Sequence, residues 1–317
     1  MVNKPQILKM NPTDMPEWVD KTLYPFSTST VQTRHGKMHF IDEGPEDQKR
    51  KKGTVLMVHG NPQWSIAYRD LVSELKSDYR CVVPDLLGFG LSDKNPDLPY
   101  TLDMHIETIT DLMNALDNPK DVTLVLHDWG GPIGLSQAVN KPDSIKNIVL
   151  LNTWSWPMTA DIKQYNIFDR LYFWGFSKMM GGPIGSFLTK KFNGFINFVL
   201  PLAISKNFLR KDNIIEQYRK VHHNTESRKA MIVFPAQILD ASITLHTIWN
   251  KRELFSEKKI RILWGNKDIA FRAKELRVWK ENIPSAEVTV LKDVGHCPLE
   301  EDTEKVCSET RLFLDQN

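Results

Sequence analysis

Val122-Thr123-Leu124-Val125-Leu126-His127-Asp128-Trp129-Gly130-Gly131-Pro132 puts a carboxylate on a tight turn between an apolar strand and a helix. The run from Val122 to Leu126 is short and continuously apolar, as a parallel strand buried on both faces requires. Gly130 and Gly131 let the backbone reverse, and Pro132 suits a first helical turn. Ile133, Leu135, Ala138 and Val139 then recur at roughly helical spacing until Asn140-Lys141-Pro142 ends the helix. Asp128 therefore lies at a helix N-terminus, where the helix dipole favours an ionised, nucleophilic carboxylate at neutral pH. An Asp in this place is also a common helix cap, so its meaning depends on its neighbours.

Upstream, the apolar run Thr54-Val55-Leu56-Met57-Val58 ends in His59-Gly60-Asn61-Pro62. A loop in this position can supply a backbone amide opposite the carboxylate. Downstream, Ile260 to Trp264 leads into Gly265-Asn266-Lys267-Asp268, and Glu287 to Leu291 leads into Gly295-His296. Each polar candidate sits just past the C-terminal end of a predicted strand, where open parallel sheets bind ligands. Singly, Asp268 reads as a turn residue and His296 as a surface histidine. Together, in the chain order nucleophile, acid, histidine, they match the α/β-hydrolase triad. Val31-Gln32-Thr33, the His35-Gly36 turn and Met38 to Asp42 predict an antiparallel edge hairpin. The expected sheet is mostly parallel, with about eight strands.

A chain of 317 residues with 41% hydrophobic content can bury one α/β core and an inserted subdomain. The insert is expected over 157–235, dividing the core into 1–156 and 236–317. This segment lacks strand pattern and is rich in aromatics, among them Phe168, Tyr172, Phe173, Trp174, Phe176 and Phe187. It is expected to form helices that close an apolar pocket over Asp128, with Trp154, Trp156 and Trp174 as pocket candidates. The uncharged run from Phe192 to Ser205 is too short for a membrane span.

The net charge of +2 argues against a nucleic-acid or anionic-membrane partner, and Lys49-Arg50-Lys51-Lys52 after Gln48 reads as a solvated turn. Met1-Val2-Asn3-Lys4-Pro5 leads into polar sequence rather than a signal peptide, so a cytoplasmic location is expected. Cys81, Cys297 and Cys307 are too few and too far apart for a disulfide framework. Cys81 reads as a small core residue. Cys297 follows His296 directly, and chain neighbours rarely face each other in catalytic geometry. No metal-ligand spacing or glycine-rich phosphate fingerprint occurs, and neither a metal nor an organic cofactor is expected.

With these residues in view, the chain resembles the haloalkane dehalogenases from about Thr30 to its C-terminus. His59-Gly60-Asn61-Pro62-Gln63-Trp64-Ser65 looks like that family's oxyanion and halide loop. Pro84-Asp85-Leu86-Leu87-Gly88-Phe89-Gly90-Leu91-Ser92-Asp93 is similar to its structural loop after the next strand. His127-Asp128-Trp129-Gly130-Gly131 is similar to its nucleophile elbow, and Asn152-Thr153-Trp154-Ser155-Trp156-Pro157 to its cap entry. The elbow is shared with epoxide hydrolases; Asn61 combined with Trp129 is more specific. The resemblance implies an α/β-hydrolase fold with a helical cap. It implies Asp128 as nucleophile, His296 as base, Asp268 as triad acid, and Asn61 and Trp129 as halide and oxyanion donors. The family places its acid after either the sixth or the seventh strand. Here the first place holds Asn152, which is no carboxylate, and the second holds Asp268. In another subgroup the second halide donor is a cap tryptophan, which makes Trp174 a competitor of Asn61.

The chemistry fits the residue types. A halide leaving an alkyl carbon needs donors but no proton, and an indole N–H with a side-chain amide N–H supplies them. The implied substrates are small apolar halogenated molecules and water, and the products an alcohol, a halide ion and a proton. An epoxide leaves as an alkoxide and needs an acid, for which the cap offers Tyr165, Tyr172 and Tyr218. A β-lactone decarboxylase, whose sequences look like the same subgroup, and a non-catalytic hydrolase scaffold are the other readings. A fluoroacetate dehalogenase is disfavoured because that family carries an arginine where this chain has Trp129.

Overall fold

The computed structural model describes residues 6–47, 51–204 and 212–317. The start of the chain through Pro5, the beginning of the basic run at Lys49 and Arg50, and Ser205 at the end of the uncharged run lie outside them. Nine strands are described: β1 (Ile7–Lys9), β2 (Thr28–Thr33), β3 (Gly36–Glu43), β4 (Gly53–Val58), β5 (Tyr79–Pro84), β6 (Val122–Asp128), β7 (Ile145–Thr153), β8 (Lys259–Gly265) and β9 (Glu287–Leu291). They form one sheet in the order β1-β2-β3-β5-β4-β6-β7-β8-β9. The pairs from β1 to β5 are antiparallel, and all others are parallel. The expected hairpin is β2 and β3. The short strand β1, which pairs with β2 and adds the ninth strand, has no apolar alternation of its own to announce it.

The central strands need helices on both faces because their side chains are apolar on both. All seven residues of β6 are buried, as are five of the six in β4. The α-helices before β7 are α1 (Arg69–Leu75), α2 (Leu102–Ala115) and α3 (Gly130–Asn140). The segment between β7 and β8 holds α4 (Ile167–Met180), α5 (Pro183–Phe192), α6 (Leu200–Ala203), α7 (Asp212–Val221), α8 (Lys229–Asp240), α9 (Ser242–Asn250) and α10 (Glu253–Ser256). A π-helical turn, Phe195–Val199, leads into α6. After β8 come α11 (Ala273–Asn282), α12 (Pro298–Glu301) and α13 (Thr303–Gln316). The boundary expected at residue 235 falls inside α8, where Pro235 is accommodated within the helix.

The chain leaves β4 for β5 on one side and returns to β6 on the other. This reversal opens a crevice at the C-terminal ends of β4 and β6, and both the Asn61 loop and Asp128 stand there. The crevice is narrow. A Cβ on Gly130 would lie 1.9 Å from the Val58 carbonyl oxygen, and one on Gly131 would lie 1.8 Å from Thr153 Oγ1. Helix propensity alone favours alanine over glycine by about 1 kcal/mol, whereas overpacking against a rigid strand costs about 1–3 kcal/mol. The clash prevails at Gly130, so Gly130→Ala is expected to lower stability by about 2 kcal/mol in urea unfolding. A stabilised variant would show that the crevice is looser than described.

Candidate active site

Asp128 closes β6 with a left-handed backbone, φ 50°. For a residue bearing a Cβ this conformation is held only by its surroundings. The Thr153 hydroxyl supplies part of that hold, donating to the Asp128 carbonyl at 2.5 Å. The carboxylate is buried and its oxygens are inequivalent. Oδ1 accepts the Asn61 backbone N–H at 2.7 Å, and the Trp129 backbone N–H also bonds the carboxylate. Oδ2 lies 3.8 Å from His296 Nε2, beyond hydrogen-bond range. Gly60 permits the first contact, because a Cβ there would fall 2.0 Å from Oδ1.

His296 Nδ1 is 2.9 Å from Asp268 Oδ2, so Nδ1–H donates and Nε2 faces Asp128. Asp268 is fixed in turn: Oδ1 accepts from the Ala270 N–H at 2.7 Å, and Oδ2 accepts from Asn152 Nδ2 at 2.8 Å. Asn152 is locked by the Gly265 N–H, which donates to its Oδ1 at 2.7 Å. The residue that could not be the acid thus holds the acid in place. Its signal in the sequence was its position, one strand over from Asp268, and strand adjacency is a property of the sheet.

His127 ties the site together from behind the sheet. Its Nε2 is 2.7 Å from the His296 carbonyl oxygen and its Nδ1 is 2.7 Å from the Gln63 side chain. Burial, with the nearby His296 charge, keeps His127 neutral, well below the usual histidine range. A neutral imidazole donates once. Nε2–H therefore donates to the His296 carbonyl; Gln63 Oε1 stands at Nδ1 with its Nε2 unpartnered, and exchanging the two ends of that amide satisfies both groups.

Electrostatics set the protonation states. Burial raises Asp128 to about 6, against the lowering effects of His296 and the Trp129 and Asn61 N–H groups. Burial pulls His296 down, but Asp268 and then Asp128 outweigh it and lift the ring to about 9. At neutral pH the pair is a carboxylate beside an imidazolium. The ionised Asp128 expected from its helix position is thus held mainly by its charged neighbour and two N–H donors, against burial.

Asn61 and Trp129 both line the cavity above Asp128. One N–H of Asn61 Nδ2 donates to the Met231 carbonyl at 3.2 Å, which leaves the other. The Trp129 ring is stacked on Phe234 at 4.8 Å and meets Trp154 edge-on at 4.7 Å. Met231 and Phe234 belong to α8, so the insert braces both side chains. The space enclosed, mouth included, is about 770 Å³ and mostly apolar, lined by Phe173, Phe176, Phe195 and Leu200 among others.

Of the three tryptophans expected in the pocket, Trp154 lines it. The other two require correction. Trp156 is buried behind the wall, packed on Trp249 and Trp279 with its indole N–H donated to the Tyr165 hydroxyl at 3.0 Å. Trp174 is 52% exposed and lies on the outside of α4. Helical spacing alone could not tell its outward face from its inward one. The three tyrosines of the insert each have a partner: Tyr218 donates to Glu300 at 2.7 Å, Tyr172 donates to the Ile269 carbonyl at 3.0 Å, and Tyr165 accepts from Trp156. Among these only Tyr172 borders the cavity. Cys81 and Cys297 are buried free thiols. Among the described residues, no group of three or more His, Cys, Asp or Glu could hold a metal ion.

Comparison with known proteins agrees with this geometry. The family model described as alpha/beta hydrolase fold matches residues 53–303. The chain is 32% identical over 260 residues to haloalkane dehalogenase 2 of Mycobacterium tuberculosis, covering 81% of this chain and 84% of that protein. It is 33% identical over 300 residues to a cis-3-alkyl-4-alkyloxetan-2-one decarboxylase of Shewanella oneidensis, covering 92% and 90%. Among solved structures, the haloalkane dehalogenase DatA of Agrobacterium tumefaciens superposes with a TM-score of 0.77 at 20% identity, covering 91% of this chain and 96% of that one, a likeness of fold. A carboxylate on the elbow, a histidine and acid on the following loops, and this extent of similarity to a dehalogenase lead to one assignment: the chain belongs to the haloalkane dehalogenase family of α/β-hydrolases.

Proposed function

We propose that the protein hydrolyses haloalkanes to an alcohol, a halide ion and a proton through a covalent ester on Asp128. The observation that carries this reading is the division of labour within one carboxylate. Oδ1 already accepts the Asn61 backbone N–H, while Oδ2 is the oxygen that faces His296, and Asp128 lines the apolar cavity. Oδ2 attacks the carbon bearing the halogen, the carbon–halogen bond breaks, and the halide takes the bonding pair. The free N–H of Asn61 Nδ2 and the Trp129 indole N–H are the donors for that anion. An apolar cavity strengthens both the nucleophile and the donors by excluding water.

Formation of the ester also prepares the second step. Esterified Asp128 is neutral, so one of the charges that raise His296 disappears, leaving those of Asp268 and Glu301, and the ring loses its proton more easily. His296 Nε2 then takes a proton from water as the water oxygen attacks the ester carbonyl carbon. The negative charge develops on Oδ1, already seated on the Asn61 N–H, with the Trp129 N–H also bonded to the carboxyl group. Collapse breaks the bond from the carbonyl carbon to Oδ2, that oxygen takes the proton held on His296 Nε2 and departs as the alcohol, and the water-derived carboxyl proton left on Asp128 is released. Asp268 orients His296 and stabilises its cationic form. The segment 157–235, extended to the end of α8, acts as the cap that shapes the pocket.

A β-lactone decarboxylase remains the second reading, because the Shewanella oneidensis relative covers as much of the chain as any described above. The same Asp128 and the same donor pair suit a carboxylate leaving group on a strained ring. An epoxide hydrolase is less well supported, since Tyr165 and Tyr218 do not line the cavity and Tyr172, which does, donates its hydroxyl proton to the Ile269 carbonyl.

Three measurements test these roles. His296→Ala incubated with a bromoalkane, an epoxide and a β-lactone should accumulate an alkyl adduct with bromide release in intact-mass spectra. A hydroxyalkyl adduct would point to the epoxide reading, and a carboxyalkyl adduct or lactone loss to the decarboxylase. A single turnover in ¹⁸O water should label Asp128 and leave the first alcohol unlabelled; label in that alcohol would mean direct attack by water on the substrate. The two steps should also differ in pH dependence. Halide release requires the Asp128 carboxylate, so its rate should fall about tenfold per pH unit below about 6. Ester hydrolysis requires neutral His296 and should rise with pH to a plateau reached below 9. Pre-steady-state kinetics that show one shared pKa for both steps would refute the assignment.

A further inference from the structure

Twelve of the seventeen large hydrophobic side chains exposed on the described residues lie between Ile167 and Leu202, on α4, α5, the π-helical turn and α6. The pattern on α5 is an inversion of the usual surface helix. Ile184, Phe187, Leu188 and Lys191 recur at i, i+3, i+4 and i+7 on the outward face, while the small residues Gly185 and Thr189 are buried. Phe168 and Leu171 on α4, and Leu202 on α6, are likewise more than half exposed. Exposed apolar surface of this extent marks an interaction site.

The charges on the same stretch have one sign. Its exposed charged side chains are Lys178, Lys190 and Lys191, and Lys191 lies over the rings of Phe187 and Phe192. The single acid, Asp169, is buried against Lys274 and Arg272. A second copy docked face to face would set lysine against lysine with no acid between them. A surface of apolar chains beneath anionic headgroups complements both features, as it does for interfacial helices with aromatic and lysine side chains. No single helix among the described residues is long and apolar enough to cross a membrane, so the contact would be with its surface.

The inner faces of the same elements supply Phe173, Phe176, Phe195 and Leu200 to the cavity over Asp128. We propose that the outward face of Ile167–Leu202 docks on an anionic lipid surface and admits to the Asp128 pocket apolar substrate dissolved in the bilayer. The substrate part of this inference rests on the proposed function; the docking part does not. The overall charge of +2, which argued against a membrane partner, averages away this local asymmetry.

Flotation of the full-length protein with vesicles of phosphatidylcholine alone, or of equal phosphatidylcholine and phosphatidylglycerol, tests the docking. The mixed vesicles should carry the protein upward, and the plain ones should carry about tenfold less. Ile184→Gln with Phe187→Gln, and separately Lys190→Glu with Lys191→Glu, should each reduce flotation about tenfold while hydrolysis of water-dissolved 1-bromobutane stays unchanged. Absence of flotation by the unaltered protein, undiminished flotation of both double variants, or a dimer in light scattering that Ile184→Gln with Phe187→Gln dissociates would overturn the proposal. Flotation without bromide release would leave the docking standing and remove the dehalogenase reading; bromide release without flotation would do the reverse.

Discussion

The contact of Asp128 Oδ1 with the Asn61 backbone N–H, 2.7 Å long, is the constraint around which the site is arranged. To make it, the last residue of β6 adopts φ 50°, the loop after β4 comes close enough that residue 60 can only be glycine, and α3 starts flush against Val58. The contact also assigns the two carboxylate oxygens different chemistry before any substrate arrives. One accepts the Asn61 N–H, which in the proposed mechanism holds the tetrahedral intermediate, and the other is the oxygen to which that mechanism gives the attack. An elbow lacking this contact would offer a buried carboxylate with two equivalent oxygens and a higher pKa, because burial is the largest influence on Asp128 and the N–H groups oppose it.

The second arrangement is electrical. Two carboxylates and one histidine share a buried space, and the histidine stays cationic because the carboxylates outweigh its desolvation. In the proposed mechanism, converting Asp128 to an ester removes part of that support when His296 acts as a base. The supports of the acid are neutral: Asn152 and a backbone N–H hold Asp268 without adding charge. This leaves the balance governed by Asp128, Asp268 and His296. His127 adds rigidity, since its ring bridges the Gln63 loop and the His296 backbone across the end of β6.

The insert between β7 and β8 belongs to the site as much as the sheet does. Phe234 stacks on Trp129, the Met231 carbonyl fixes Asn61, and the Ala203 carbonyl accepts the His296 backbone N–H at 2.9 Å. Displacement of this segment would loosen the donors and the histidine together. Its opposite face is apolar and lysine-bearing, so the layer that shapes the pocket also meets the surroundings of the protein.

Residue order and local chemistry alone supplied the parallel strands, the strand–turn–helix at Asp128, the hairpin, and the identities of Asp268 and His296. These features are encoded within a few residues of each other, where apolar runs, glycines and turn residues act through local sterics and hydrophobic periodicity. Strand β1 was not legible, because its three residues gain their place from pairing with β2 rather than from any pattern. Nor was the sorting of the aromatics: Trp154 lines the cavity, Trp156 backs it and Trp174 faces outward, though all three are the same residue type. Tertiary structure alone decided that sorting, the role of Asn152 beside Asp268, and the commitment of the cap tyrosines to other partners. The physical reason is that helical and strand periods fix which residues share a face, whereas the packing of distant segments fixes which face is buried and what lies across from it.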